Sequence, residues 1–103
     1  MRVDPVELEV VLAALAPPGI VTGARLITPD DLGGLRVQER AAVANAVPGR
    51  RHEFASGRTL LRELLGTSEA ILVGPTRAPR LPAGVVGSLA HDRALVVAAV
   101  SHD

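Results

Sequence analysis

Gly49-Arg50-Arg51-His52-Glu53-Phe54-Ala55-Ser56-Gly57-Arg58-Thr59-Leu60-Leu61-Arg62-Glu63-Leu64-Leu65-Gly66 is the stretch on which the fold turns. Phe54, Leu61, Leu64 and Leu65 recur at the helical period, so a helix is expected from about Arg50 to Leu65. Gly66 is a good stop signal, because glycine enters the left-handed region that ends a helix at little steric cost. Upstream, Pro48-Gly49 breaks or bends the chain. Before that break an Ala-rich segment, from Leu35 or Val37 to Val47, is expected as another helix, with Val43 and Val47 four apart.

Farther out toward the N-terminus, Asp4 and Pro5 read as an N-cap and a first helical residue. Val6, Leu8, Val10, Val11, Leu12 and Leu15 carry that helix to about Ala16, and Pro17-Pro18-Gly19 ends it. Ile20 to Ile27 reads as a strand with Ile20, Thr22, Ala24 and Leu26 on one face. Thr28-Pro29-Asp30-Asp31 and Gly33-Gly34 read as a loop. Toward the C-terminus, Ala70 to Val73 is expected as a short strand and Gly74 to Pro82 as a Pro-rich loop. Val85 to Leu89 and Ala94 to Val100 read as strands of a hairpin across His91-Asp92-Arg93. The expected order is α-β-α-α-β-β-β. This is an α+β fold in one domain over residues 1–103, with no internal repeat and no obvious linker.

Composition narrows the classes. With 48% hydrophobic residues the chain is expected to fold. Phe54 is its only aromatic residue, so the core must be built from Leu, Val, Ile and Ala. Eleven basic residues balance eleven acidic ones, which argues against a nucleic-acid partner. The middle is nevertheless locally basic. Arg50, Arg51, Arg58, Arg62, Arg77 and Arg80 stand against Glu53, Glu63 and Glu69. Every fixed cation is Arg, a usage also expected of a high-GC genome. There is no cysteine, hence no disulfide or thiolate metal site. No signal peptide and no membrane-length apolar run is evident, so a cytoplasmic protein without a membrane partner is expected.

Two groups of residues could carry chemistry. Arg51 and Arg58, seven apart, fall on nearly one helix face, and Arg50 lies roughly 80° from Arg58. Guanidinium groups converging near a helix start would suit a phosphate. On spacing alone, a solvated face supported by Glu53 or Glu63 is the plainer reading. Ser88 and His91, three apart at a strand end, could reach one ligand, although on spacing alone a surface turn is the plainer reading there too. They do not make a hydrolase, because no G-x-S-x-G elbow is present and neighbours in a turn have poor triad geometry. His52, His91, His102, Asp30 and Asp31 lack metal-ligand spacing. Gly33-Gly34 and Gly74 form no phosphate loop. No catalytic residue and no metal ligand is assigned.

The order and distances of these signals add to them. Glu39-Arg40-Ala41-Ala42-Val43, then Val47 to Arg58, Leu64-Leu65-Gly66, Ile71-Leu72-Val73-Gly74 and Ala78 to His91 follow one another in a familiar register. The succession resembles the N-terminal half of the siderophore-synthetase and surfactin-synthetase type of 4'-phosphopantetheinyl transferase, and the likeness covers nearly all of the chain. In that family a phosphopantetheine arm moves from coenzyme A to a serine of an acyl or peptidyl carrier protein, in siderophore or polyketide biosynthesis among other routes. The resemblance implies that Arg50 and Arg58 bind coenzyme A, chiefly its 3'-phosphate and adenine end, with Arg51 an adjacent candidate. It implies that Ser88 and His91 contact the nucleotide and that the Gly74–Pro79 loop, including Thr76 and Arg77, borders the adenine. Two positions depart from the family, which usually has Gly at Arg77 and Trp at Leu81.

The resemblance also implies two similar half-domains with the active site between them. The family's Mg²⁺-binding Asp-x-Glu pair and a further Glu fall beyond the last strand of this half, so the chain is expected to be inactive alone. Expected partners are a C-terminal half-domain, or a second copy, and a carrier protein. The alternative is a non-catalytic module that binds coenzyme A or a carrier protein.

Overall fold

The structure, a computed structural model, describes residues 4–75 and 77–102. Helix α1 (Pro5–Leu15) starts where Asp4 Oδ1 accepts a 2.8 Å hydrogen bond from the Val6 N–H, and Pro5 occupies the first turn. Strand β1 (Ile20–Leu26) follows, then a 3-10 turn (Pro29–Gly34) capped by the Thr28 hydroxyl. Helices α2 (Val37–Ala42) and α3 (Pro48–Leu65) come next, and strands β2 (Val85–His91) and β3 (Leu95–His102) complete the chain.

The fold is α+β, as expected. The three strands form one antiparallel sheet in the order β1-β3-β2. The β2–β3 turn is held by Asp92, whose Oδ1 accepts from the Ala94 and Leu95 N–H groups and thereby keeps the carboxyl below its ordinary pKa. One face of the sheet rests on α3. Val96, Ala98 and Val100 of central strand β3 pack with Leu60, Leu61 and Ile71. Each fully buried leucine there contributes about 1.5–3 kcal/mol. A second cluster of Leu35, Val43, Phe54 and Ala55 lies against the first half of α3. Helix α1 packs along β1, where Glu9 Oε1 accepts from the Ala24 N–H at 3.1 Å. This satisfies a backbone donor on the edge of the sheet.

Some boundaries differ from expectation. Helix α2 ends at Ala42 rather than Val47, and turns through Val43–Ala46 carry the chain to α3. Helix α3 begins at Pro48 instead of being preceded by it, since proline lacks only an N–H that the first turn would leave unpaired. The Ala70–Val73 strand is reduced to a single bridge between Val73 and Pro79. Ile71 in this segment is buried in the core but joins no strand of the sheet, because side chains rather than a neighbouring strand take its backbone groups.

Candidate functional site

A cavity of about 380 Å³ opens between α3, the Val73–Pro79 segment and β2. Its wall on α3 is built from residues four apart: Arg50, Phe54 and Arg58. The Phe54 ring lies beside both guanidinium groups. Arg58 Cζ stands 4.3 Å from the ring centroid and Arg50 Cζ 5.8 Å away. Stacking of this kind holds a planar cation in place and stabilises it by about 0.5–2 kcal/mol. Helix and strand approach closely at Gly57, where an added Cβ would stand 3.0 Å from a Leu89 methyl group.

Arg58 is only 3% exposed. Its Nε donates to the Ile71 carbonyl at 2.7 Å. Burial pushes its guanidinium down to about 10; Glu39 pulls the other way, and Arg50 and Arg62 add to the fall. Arg50 lies at the more open side. Its Nη1 donates to Glu53 Oε1 at 2.7 Å, and Glu53 Oε2 is 3.3 Å from His91 Nδ1. Glu53 is therefore a carboxylate shared by two groups that could hold an anion. Arg77 and Ser88 also line the cavity. Arg77 has φ 69°, a left-handed conformation in which glycine is at ease, which fits the glycine that the resemblance places there.

Of the residues expected at the site, Arg50, Arg58, Arg77, Ser88 and His91 come together around one cavity. Thr76 lies outside the described residues. Arg51 is directed elsewhere. Its Nε donates to the Val43 carbonyl at 3.1 Å and its Nη2 to the Ala44 carbonyl at 2.6 Å. The carbonyls left open at the end of α2 outbid the shared helix face as partners for this side chain. Among the described residues, no three of His, Cys, Asp and Glu cluster as a metal ion would require. None of the described helices is long and apolar enough to cross a membrane.

The sequence reading missed three contributors. Phe54 was assigned only to the apolar helix face, although its position midway between Arg50 and Arg58 was a usable signal. Glu53 was assigned to helix support. Glu39 entered only as the first residue of the register of motifs, with no role of its own. It is fully buried, accepts from the Arg36 N–H at 2.8 Å and the Ile71 N–H at 2.8 Å, and pairs with Arg62. Burial opposes its ionisation, but the Ile71 and Arg36 N–H groups and Arg62 outweigh that and hold its carboxyl below the ordinary value.

The arrangement is suited to holding an anion beside a flat ring. Comparison with known proteins agrees with the register of motifs. 4'-Phosphopantetheinyl transferase Svp of Streptomyces mobaraensis is 44% identical over 96 residues, covering 87% of this chain and 39% of that protein. 4'-Phosphopantetheinyl transferase Npt of Nocardia iowensis is 35% identical over 95 residues, covering 88% of this chain and 42% of that protein. The chain thus spans about two fifths of the length of these relatives. Residues 38–101, which contain α3, β2 and the cavity between them, match the 4'-phosphopantetheinyl transferase N-terminal domain, and the chain belongs to that family.

Proposed function

We propose that this domain is the coenzyme A-holding half of a 4'-phosphopantetheinyl transferase that modifies the serine of an acyl or peptidyl carrier protein. The observation that carries this reading is the convergence of Arg50, Arg58 and His91 on a cavity floored by Phe54. Fixed guanidinium donors suit phosphate oxygens, and an arginine is held ready when its stem and face are already packed. A ligand phosphate would take Arg50 and His91 from Glu53, while Arg58 would need little rearrangement. Arg77 and Ser88 would border the nucleotide.

The transfer step belongs to a larger assembly. Phosphoryl-type transfer depends on charge neutralisation, which a magnesium ion supplies when bound. The described residues do not fit such an ion: no three His, Cys, Asp or Glu side chains cluster among them, and Glu53, the carboxylate at the cavity, is engaged by Arg50. Magnesium is therefore assigned to the enzyme completed by a C-terminal half, with a second copy as the other candidate partner. Val6, Val10, Val11 and Leu15 of α1 are exposed, which supports a partner covering apolar side chains of that helix.

Titration calorimetry tests the reading. Coenzyme A is expected to bind this chain or the chain paired with a C-terminal half, and Arg50→Ala is expected to weaken binding about tenfold, roughly 1.4 kcal/mol. Dephospho-coenzyme A, which lacks the 3'-phosphate, should bind more weakly and be less sensitive to Arg50→Ala. Equal binding of both ligands, with no effect of Arg50→Ala, would sink the assignment.

A further inference from the structure

Arg58 has one fixed hydrogen-bond partner among the described residues, the Ile71 carbonyl that accepts from its Nε. That bond leaves the two Nη groups for the cavity, so the position of one carbonyl decides where they are aimed. Ile71 lies outside the sheet, and no strand fixes its peptide. Its N–H instead donates to Glu39 Oε2 at 2.8 Å, in a buried environment. Glu39 is itself fixed by the Arg36 N–H and by Arg62. The Ile71 backbone is thus held on both sides of its Cα, by a carboxylate of α2 at the N–H and by the site arginine at the carbonyl of the next peptide group.

The geometry points to Glu39 as a positioning residue for Arg58, aiming it through the Ile71 backbone and supplying a buried negative charge beside it. This rests on the reading that Arg58 holds an anionic part of the ligand. The charged groups around Arg58 are Glu39 from α2 and Arg50, Glu53 and Arg62 from α3, with Arg77 and His91 across the cavity. Glu39 is the carboxylate that favours the charged form of Arg58.

The probe is adenosine 3',5'-bisphosphate, titrated into the full chain, with folding checked by circular dichroism. Arg58→Ala sets the scale, with an expected loss of about tenfold or more. Glu39→Leu combined with Arg62→Met removes the acceptor together with the cation it would strand, and should lose nearly as much. Glu39→Gln combined with Arg62→Met keeps an acceptor for the Ile71 N–H but no charge. It should restore affinity at neutral pH to within about twofold; because the lost influence of Glu39 on Arg58 exceeds the opposite influence of Arg62, it should lose affinity at a lower pH than the unaltered chain as the solution is made alkaline. If Arg58→Ala binds normally, the site reading fails. If Arg58→Ala is weak but both double variants match the unaltered chain at every pH, the role of Glu39 fails. Failure of the Gln variant to restore binding at neutral pH overturns positioning through the acceptor. If the Leu variant does not fold, the alkaline profile of the Gln variant decides, and an unshifted profile overturns the inference.

Discussion

Arg58 and Arg62 are buried one turn apart on α3, but the consequences of removing them differ. Burial that lowers Arg58 to about 10 costs about 3 kcal/mol. A charged hydrogen bond to Ile71 and the Phe54 face together return about the same. Arg58→Met should therefore change folding stability by less than about 1 kcal/mol, since a flexible apolar side chain fills the space without a charge to desolvate. Arg62→Met leaves the Glu39 carboxylate buried without its cation and should cost about 3 kcal/mol. Urea unfolding followed by circular dichroism distinguishes these outcomes, and equal losses would refute the distinction. The same pair marks how far the site was legible in the sequence. Arg50, Arg58, Ser88 and His91 stood in two short segments whose spacing was readable. The work of Glu39 was not, because beyond the nearby Arg36 N–H the partners that tie it to the site, Arg62 and Ile71, lie 23 and 32 residues away. Arg51 misled for a related reason: helical spacing gives its direction from the axis, while open carbonyls of the preceding turn decide where its guanidinium settles.

Helix α3 carries a glycine near each end, and the two answer opposite demands. Gly66 adopts φ 67° and its N–H reaches back to the Glu63 carbonyl, closing the helix. An added Cβ would meet nothing within 4 Å, so only the backbone conformation opposes a side chain. Gly66→Ala should cost about 1 kcal/mol, or roughly 4–8 °C in thermal midpoint for a domain of this size. Gly49 lies inside the first turn, without a positive φ and with open space at its Cβ. Gly49→Ala should stabilise by up to about 1 kcal/mol, because alanine loses less conformational freedom on entering the helix. Melting curves that moved in the same direction for both would contradict this account. End signals of this sort made α1, α3 and the β2–β3 hairpin legible. The end of α2 was less so, because the turns after Ala42 lead into Pro48, which starts the next helix. Ala70–Val73 has the apolar character of a strand, but a strand also needs a neighbour, and here Glu39 and Arg58 bind the Ile71 backbone instead.

Across the whole molecule, two buried carboxylates tie the elements outside the sheet to α3. Asp31, in the 3-10 turn, accepts two hydrogen bonds from Arg25 of β1, at 2.8 and 2.9 Å, and one from Ser56 of α3 at 2.7 Å. Arg25 holds its carboxyl below the ordinary value, against the opposing effect of burial and with help from Ser56. Glu39 does the equivalent for α2 and the Ile71 segment. Because both carboxyls titrate lower in the folded chain than in the unfolded one, their contribution is complete above the ordinary carboxylate pKa of about 4 and is lost as pH falls through the folded values. The thermal midpoint should thus be nearly flat from about pH 7 to 5 and fall steeply below about pH 4. Acid also leaves the eleven arginines without opposing charge, and their mutual repulsion would steepen the same fall. Salt separates the two causes, because it screens exposed arginines but reaches buried pairs poorly. Asp31→Asn should lower the midpoint at neutral pH and flatten the acid limb, and added salt should recover only part of the acid loss in the unaltered chain. Full recovery by salt, with an acid limb unchanged by Asp31→Asn, would assign the fall to surface repulsion and remove the buried pairs from the account.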